Sequence, residues 1–251
     1  MSHSSLEQHR AHWPYPRIIA HRGGSSVAPE NTLAAMRAAK QNGCRGVEFD
    51  VMLSADRVPV LIHDETLDRT TDGNGNVAET RWQQLAALDA GRWFGAAFAG
   101  EPLPSYADAA RLCLDLGLWA NVEIKPAAGL ERETGRIVAS MSAQLWRTAP
   151  VAPLLSSFST DALEAAAGTA PELARGLLVE AIPSNWRETL ARLSCVSLHC
   201  EFRHLGVQQV GAVKDAGYAL LCYTVNEPEK ARELFGWGVD ALITDRVDMN
   251  P

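Results

Sequence analysis

The stretch GVEFDVMLSADRVPVLIH, residues Gly46–His63, holds two apolar runs separated by only a few polar residues. Parallel neighbouring strands need a crossover of a dozen or more residues, so two strands this close must be antiparallel. We therefore expect a hairpin that turns near Ala55 and Asp56 and places His63 roughly opposite Glu48. This hairpin decides how the other strands are counted.

Apolar runs of strand length alternate with Ala-rich amphipathic stretches along the chain. Such alternation predicts a parallel sheet with helices packed outside it. The runs are Arg17–His21, Gly46–Val51, Val58–His63, Trp119–Ile124, Pro153–Phe158, Arg175–Val179, Cys195–His199, Ala219–Val225 and Asp240–Thr244. Setting aside the second arm of the hairpin leaves eight strands, so the sequence predicts an α/β fold, a TIM-type (β/α)8 barrel.

The longest break in the alternation follows the hairpin, over residues 64–105. It contains the turn-forming sequence TDGNGN and one short helical piece, Arg81–Leu88. Segments this long between barrel elements usually serve as active-site loops or lids. We expect a single barrel domain over residues 1–251, with residues 64–105 as a small insertion subdomain within it.

The composition and charge of the chain disfavour two classes of binding partner. The formal net charge of −7 provides no basic face for nucleic acid, and no apolar run is long enough to span a bilayer. The five cysteines form no disulfide framework, and the polar N-terminus lacks the apolar core of a signal peptide. We expect a cytoplasmic protein with a small-molecule substrate and with neither a nucleic-acid nor a membrane partner.

Several ionisable residues lie at the carboxyl ends of the predicted strands. Barrel enzymes have their active sites on this face of the barrel. Glu48 and Asp50 alternate on one strand, so both side chains point the same way, and Glu123 ends another strand. Buried carboxylates are costly unless paired or coordinated. Their oxygen atoms suit Mg²⁺ or Ca²⁺; the alternative is a salt-bridged rim in which Arg22 and Lys125 neutralise the acids.

Two histidines, His21 and His63, also follow apolar strands at this rim. Imidazoles titrate near neutral pH, so a pair on opposite sides of a phosphorus atom could act as general acid and general base. Arg22 could bind phosphate oxygens with its planar fork, and Lys125 could bind them as a point charge.

The motifs HRGGSSVAPENT, GVEFDVMLSADRVPVLIHDETLDRTTDGNG, NVEIKP, SSFSTDAL, YTVN and GVDALITD resemble, in order, those of the glycerophosphodiester phosphodiesterase family, its bacterial cytoplasmic members in particular. The resemblance implies a divalent metal, Mg²⁺ or Ca²⁺, on the three carboxylates. It also implies catalytic roles for His21 and His63 and phosphate binding by Arg22 and Lys125. Tyr223 departs from the family pattern, in which many members have a tryptophan.

We therefore expect metal-dependent hydrolysis of glycerophosphodiesters to an alcohol and sn-glycerol 3-phosphate. Three alternatives stay open: a phosphodiesterase for another lipid or sugar phosphodiester, a barrel enzyme that uses Lys125 in a Schiff base, and a non-catalytic binding barrel. The sequence does not indicate the leaving alcohol or the oligomeric state.

One further group of metal-type residues lies in and around the seventh run: Cys195, His199, Cys200 and His204. Strand alternation should send His199 and Cys200 to opposite faces, which disfavours a zinc site there. We expect His199 or Glu201 to line the rim.

Overall fold

The computed structural model describes residues 13–249. The remaining parts of the expected domain, residues 1–12 with the polar N-terminus and residues 250–251, lie outside the described residues. The strands are β1 (Ile18–Ala20), β2 (Gly46–Leu53), β3 (Pro59–Leu61), β4 (Trp119–Ile124), β5 (Leu154–Ser157), β6 (Ala174–Val179), β7 (Ser197–Glu201), β8 (Ala219–Tyr223) and β9 (Ala241–Thr244). The helices are α1 (Leu33–Gln41), α2 (Trp82–Leu85), α3 (Tyr106–Leu116), α4 (Glu131–Leu145), α5 (Thr160–Thr169), α6 (Trp186–Arg192), α7 (Val207–Asp215) and α8 (Pro228–Trp237).

Eight parallel strands close into a barrel in the order β1-β2-β4-β5-β6-β7-β8-β9, with β9 pairing back onto β1. Helices lie between successive barrel strands. The predicted (β/α)8 barrel is confirmed. Its closure brings the carboxyl ends of all eight strands to one rim, so residues far apart in sequence can meet there.

The hairpin is also confirmed, because β3 runs antiparallel to β2 with Val51 opposite Leu61. Its predicted register is wrong by one residue: the ladder puts Ile62 at Asp50, so His63 comes opposite Phe49 instead of Glu48. The cause is the turn, since Arg57 adopts a left-handed φ of 65°. A third residue therefore enters the loop, as in hairpins that end a type I turn with a left-handed residue.

Apolar side chains fill the barrel interior below the rim, among them Ile19, Leu154 and Leu221. Tyr15 stacks on Trp119 with ring centroids 4.4 Å apart, and Trp13 meets both rings edge-on. These aromatics close the amino-terminal end of the barrel. Polar side chains are left for the opposite end, where the strands finish.

Residues 64–105 contain α2, two 3-10 turns (Val77–Glu79 and Ala96–Phe98) and isolated bridges such as the one between Thr66 and Asn76. Their buried side chains pack against Met52, Val60 and Ile62 of the hairpin in a small separate apolar cluster that includes Leu67, Val77, Leu85, Ala90 and Leu103. The subdomain boundaries and the single domain over residues 1–251 stay predictions.

Within residues 13–249, no helix combines the length and the apolar character that crossing a bilayer requires.

Candidate active site

The three carboxylates expected to hold a metal come together. Asp50 on β2 pairs in register with Glu123 on β4, and Glu48 lies two residues earlier on the same face of β2. Each offers one oxygen, and these oxygens lie within 4.8 Å of one another. Glu48 and Asp50 are buried, at 3% and 2% exposure. The strand register alone explains this cluster.

The pKa values of the three carboxylates in the cluster shift in different directions. Burial, together with the charges of Asp50 and Glu123, raises the pKa of Glu48 well above its usual range. Burial and the Asp50 charge raise the pKa of Glu123 to about 8. Burial also works against ionised Asp50, but Lys125 and the other cations of the site outweigh it and lower its pKa. The cluster therefore lacks enough positive charge for three ionised carboxylates.

These residues fit a hard divalent cation. Oε1 of Glu48 is buried and has no hydrogen-bond partner among residues 13–249, although buried carboxylate oxygens are normally bonded. Three carboxylates at this spacing form an oxygen-rich donor set of the kind Mg²⁺ and Ca²⁺ prefer. The unpartnered oxygen could bind a cation there, and the charge of the cation would favour the ionised forms of Glu48 and Glu123.

His21 follows β1 in a 3-10 turn, His21–Gly23, and is held by a carboxylate. Its Nδ1 lies 2.7 Å from Oδ1 of Asp245, just after β9, and its Nε2 lies 4.0 Å from Oε2 of Glu48. Asp245 also accepts hydrogen bonds from Ser25 Oγ at 2.6 Å and Asn226 Nδ2 at 2.8 Å. Burial opposes the ionised form of Asp245, yet these bonds outweigh it and lower its pKa.

His63 has the same kind of support from a different part of the chain. Its Nδ1 lies 2.6 Å from Oδ1 of the adjacent Asp64. Burial lowers the pKa of His63 and outweighs the nearby Asp50 charge. Each histidine thus has Nδ1 engaged by a carboxylate, which leaves Nε2 as the ring nitrogen free to exchange a proton with a ligand.

The two predicted cations lie beside the same carboxylates. The backbone N–H of Arg22 donates to Glu48 Oε2 at 3.0 Å, a direction set by its left-handed φ of 50°. Its side chain donates to Glu30 at 2.6 Å, and its Nε lies 3.7 Å from Asp50 Oδ2. Lys125 Nζ lies 3.4 Å from Asp50 Oδ1 and 4.0 Å from Glu123.

All seven expected site residues line one cavity of about 220 Å³. The opposite wall is less polar and includes Phe158, Leu178, Tyr223 and Ile243. The ring of Tyr223 meets Phe158 edge-on at 6.0 Å, while its hydroxyl donates to the carbonyl of Val179. The cavity therefore has one charged side and one aromatic side.

Sequence reasoning missed several residues that support this site. Asn31 precedes α1, but the residue that caps this helix is Thr32, whose side chain accepts from the Ala35 N–H. Asn31 instead donates to Asp50 Oδ2 at 2.8 Å and accepts from the Asp50 backbone N–H at 3.1 Å. Asp245 directly follows β9 in the sequence LITD, so the rule that barrel enzymes place catalytic residues at the carboxyl ends of strands could have found it.

The residues around the seventh run separate as the alternation predicted. His199 is inside the barrel, where its Nε2 lies 2.9 Å from Ser197 Oγ, and burial lowers its pKa to about 3. Cys200 packs in the helix-facing core beside Cys222. Glu201 lies near the rim and pairs with Arg203 and His204.

A closed parallel barrel with ionisable side chains gathered where its strands end is the construction of a (β/α)8-barrel enzyme. The sequence profile of the glycerophosphoryl diester phosphodiesterase family matches residues 21–249. The chain belongs to this family.

Comparisons with individual proteins indicate the same family. The chain is 35% identical over 233 residues to a glycerophosphodiester phosphodiesterase of Caldanaerobacter subterraneus subsp. tengcongensis, covering 91% of this chain and 93% of the relative. Among solved structures it is similar to an Oleispira antarctica phosphodiesterase in complex with the product sn-glycerol 3-phosphate, with 42% identity, a TM-score of 0.87 and 92% and 93% of the two chains covered. A glycerophosphodiester phosphodiesterase of Agrobacterium tumefaciens shows 28% identity, a TM-score of 0.77 and 93% and 97% coverage.

Proposed function

We propose that this chain hydrolyses glycerophosphodiesters to an alcohol and sn-glycerol 3-phosphate, with His21 and His63 as proton carriers. The observation that carries the proposal is the shared cavity: two carboxylate-paired histidines line it together with the buried carboxylate cluster. Family membership and the product bound to the Oleispira relative support the substrate class.

We assign Glu48, Asp50 and Glu123 as the ligands of a divalent ion, Mg²⁺ or Ca²⁺. When bound, such an ion offsets phosphate charge and lowers the pKa of a hydroxyl that it contacts. Arg22 and Lys125 bind non-bridging phosphate oxygens, because both cations line the cavity beside Asp50. They hold the phosphorus between the two histidines and offset charge that develops in the transition state.

Proton transfer falls to the histidines. Asp245 and Asp64 each hold one Nδ1, so Nε2 of each ring addresses the cavity. One Nε2 accepts the proton of the neighbouring glycerol hydroxyl as that oxygen bonds to phosphorus, and the other donates a proton to the leaving alcohol oxygen as its P–O bond breaks. Water then attacks the resulting cyclic phosphate, the histidines exchange roles, and the P–O bond to the same glycerol oxygen breaks to give sn-glycerol 3-phosphate. The positive charge on the resulting imidazolium is stabilised by its aspartate.

The ion pairing of Lys125 argues against the Schiff-base alternative. A Schiff-base lysine needs its nitrogen free to attack a carbonyl carbon, whereas Lys125 Nζ lies 3.4 Å from Asp50 Oδ1 and 4.0 Å from Glu123 Oε1. We also propose a cytoplasmic location, supported by five cysteines that are all free thiols.

The proposal is tested with purified protein stripped of metal by a chelator. Glycerophosphocholine, glycerophosphoethanolamine, glycerophosphoglycerol and glycerophosphoinositol are offered with Mg²⁺, Ca²⁺ or Mn²⁺ added back, and sn-glycerol 3-phosphate is measured enzymatically. We expect release that depends on the added metal. Asp108→Asn, a change on the exposed side of α3, serves as the control for Asp50→Asn, which should lose activity. Full activity after chelation would refute the metal assignment.

A further inference from the structure

Arg69, which lies just after the hairpin in the segment 64–105, binds two carboxylates at once. Its Nε and Nη2 donate to Asp64 Oδ2 and Oδ1 at 2.5 and 3.1 Å. Its Nη1 and Nη2 donate to Glu30 Oε2 and Oε1 at 2.9 and 2.8 Å. All three guanidinium nitrogens are therefore used, in two side-by-side pairs of hydrogen bonds.

Each of these carboxylates also bonds a residue of the cavity. Glu30 accepts a hydrogen bond of 2.6 Å from Arg22 Nη1, and Asp64 engages His63 Nδ1 at 2.6 Å. Arg22 belongs to the turn after β1, whereas His63 belongs to the end of the hairpin. Arg69 thus connects two parts of the site whose strands, β1 and β3, each pair with β2 but not with each other.

We propose that Arg69 is a positioning residue: by fixing Glu30 and Asp64 together, it sets the orientation of Arg22 and of the His63 ring at the cavity. The inference rests on the proposed function. We assign Arg69 a role in the geometry of the site and not in stability, because exposed ion pairs contribute little to stability on average. Arg69 is itself 44% exposed at the side chain.

The planar guanidinium group of Arg69 is essential for this positioning role. A lysine has one nitrogen and cannot form two parallel pairs of hydrogen bonds to two carboxylates. If Arg69 only supplied positive charge, lysine would replace it; if it orients both carboxylates, lysine would not. A third explanation, that Arg69 merely fastens residues 64–105 to the barrel, predicts loss of stability without a change in the kinetic constants of the folded enzyme.

The variants Arg69→Ala and Arg69→Lys separate these explanations. Mutation of the outer partners of metal ligands typically lowers affinity or activity by about 10- to 100-fold, and we expect a similar range for the outer partner of His63 and Arg22. We expect kcat to fall by at least tenfold in both variants and KM to rise severalfold, measured on glycerophosphocholine with saturating metal. Arg92→Ala is the matched control: Arg92 belongs to the same segment, pairs with Asp89 and is 74% exposed. It should leave both constants unchanged.

Two further variants assign the two halves of the effect. Asp64→Asn should lower kcat through His63, while Glu30→Gln should mainly raise KM through Arg22. Because Arg69 acts through Asp64, the double variant Arg69→Ala/Asp64→Asn should lose little more kcat than the worse single variant. Adding free guanidinium at low concentration to Arg69→Ala should recover part of the lost kcat, and adding ammonium should not.

A spectrum that needs no turnover completes the test. Nitrogen-15 correlation spectra of the histidine rings should show His63 protonated at Nδ1 in the native enzyme and a mixture of tautomers in Arg69→Ala. Native kcat, KM and tautomer in Arg69→Ala, full recovery by lysine, or additive losses with Asp64→Asn would each overturn the inference. Absence of sn-glycerol 3-phosphate from the native enzyme would instead overturn the proposed function, and the His63 tautomer would still decide on Arg69.

Discussion

The raised pKa of Glu123 should make the proposed metal site depend on pH. Its pKa rises from the ordinary value of 4.5 to about 8, so near neutral pH the metal-free side chain is largely protonated. Glu48 is shifted in the same direction. A cation can bind oxygen ligands of this kind only as they lose their protons, so metal binding and proton release are linked.

Metal affinity should therefore increase as the pH rises from about 6 to about 8. Calorimetric titration of Mn²⁺ or Mg²⁺ in buffers of different ionisation enthalpy should report proton release that diminishes as the pH approaches 8. Glu123→Gln should bind metal more weakly and release fewer protons. Equal proton release by this variant and the native enzyme would contradict the role of Glu123.

The same shift has a consequence for stability. Between pH 4.5 and about 8 the folded state holds a proton on Glu123 that the unfolded chain has lost. The stability from protonated Glu123 is therefore full below pH 4.5 and decreases through that window, by on the order of a few kcal/mol. Asp245, whose pKa is lowered, contributes in the opposite sense and only at more acidic pH.

We expect the melting temperature of the metal-free enzyme to fall as the pH is raised from about 5.5 to about 8, a range that lies within this window. Saturating metal should remove most of that decline, and Glu123→Gln should flatten it without metal. Scanning calorimetry with and without chelator measures both effects. A decline as steep in Glu123→Gln as in the native enzyme would assign it to other groups.

The two aspartates that hold the histidines should matter almost as much as the histidines. His21→Ala should lower kcat by roughly 10²- to 10⁴-fold, the usual contribution of a general acid or base. Asp245→Asn keeps the size of the side chain but removes the carboxylate that holds His21 Nδ1. We expect a loss of at least tenfold in kcat; Asp248→Asn, exposed and outside the cavity, is the control.

Among the secondary-structure elements, the β2–β3 hairpin has the most direct influence on the site, because it ends at His63. Its turn is fixed by Ser54, which is fully buried. The Ser54 hydroxyl accepts from the Val58 N–H at 2.9 Å and donates to Asp56 at 2.8 Å. These bonds hold the three-residue loop that sets the register of β3 against β2.

Ser54→Ala should destabilise the enzyme by about 1–2 kcal/mol, because the Val58 N–H loses its partner. Urea unfolding followed by fluorescence measures this, with the exposed Ser140→Ala on α4 as the control. Since the hairpin also places His63, kcat of the folded variant should fall severalfold. A variant with native stability and native kcat would show that the backbone alone determines the register.

In the molecule as a whole, the parts that sequence reasoning predicted are those set by local pattern. Strand–helix alternation gave the barrel, the short linker gave the hairpin, and the alternating Glu48 and Asp50 gave the carboxylate cluster. The register error arose because the left-handed conformation of Arg57 is not encoded by a glycine or asparagine at that position.

The residues that sequence reasoning missed are those whose partners are distant in the chain. Asn31 contacts Asp50, and Arg69 contacts Glu30, through side-chain directions that periodicity does not specify. An Asx residue before a helix is also normally a cap, so Asn31 had a sufficient local explanation. Such pairings follow from barrel closure and cannot be read from one sequence.

The bond between His21 and Asp245 joins residues separated by 224 positions in the chain. A chain emerging from the ribosome therefore exposes His21 early but acquires its aspartate only after β9 has been synthesised. Until then β1 also lacks its neighbour β9, so the barrel cannot close. Enzymatic activity should therefore appear only after β9 and Asp245 have been synthesised and have joined β1 and His21.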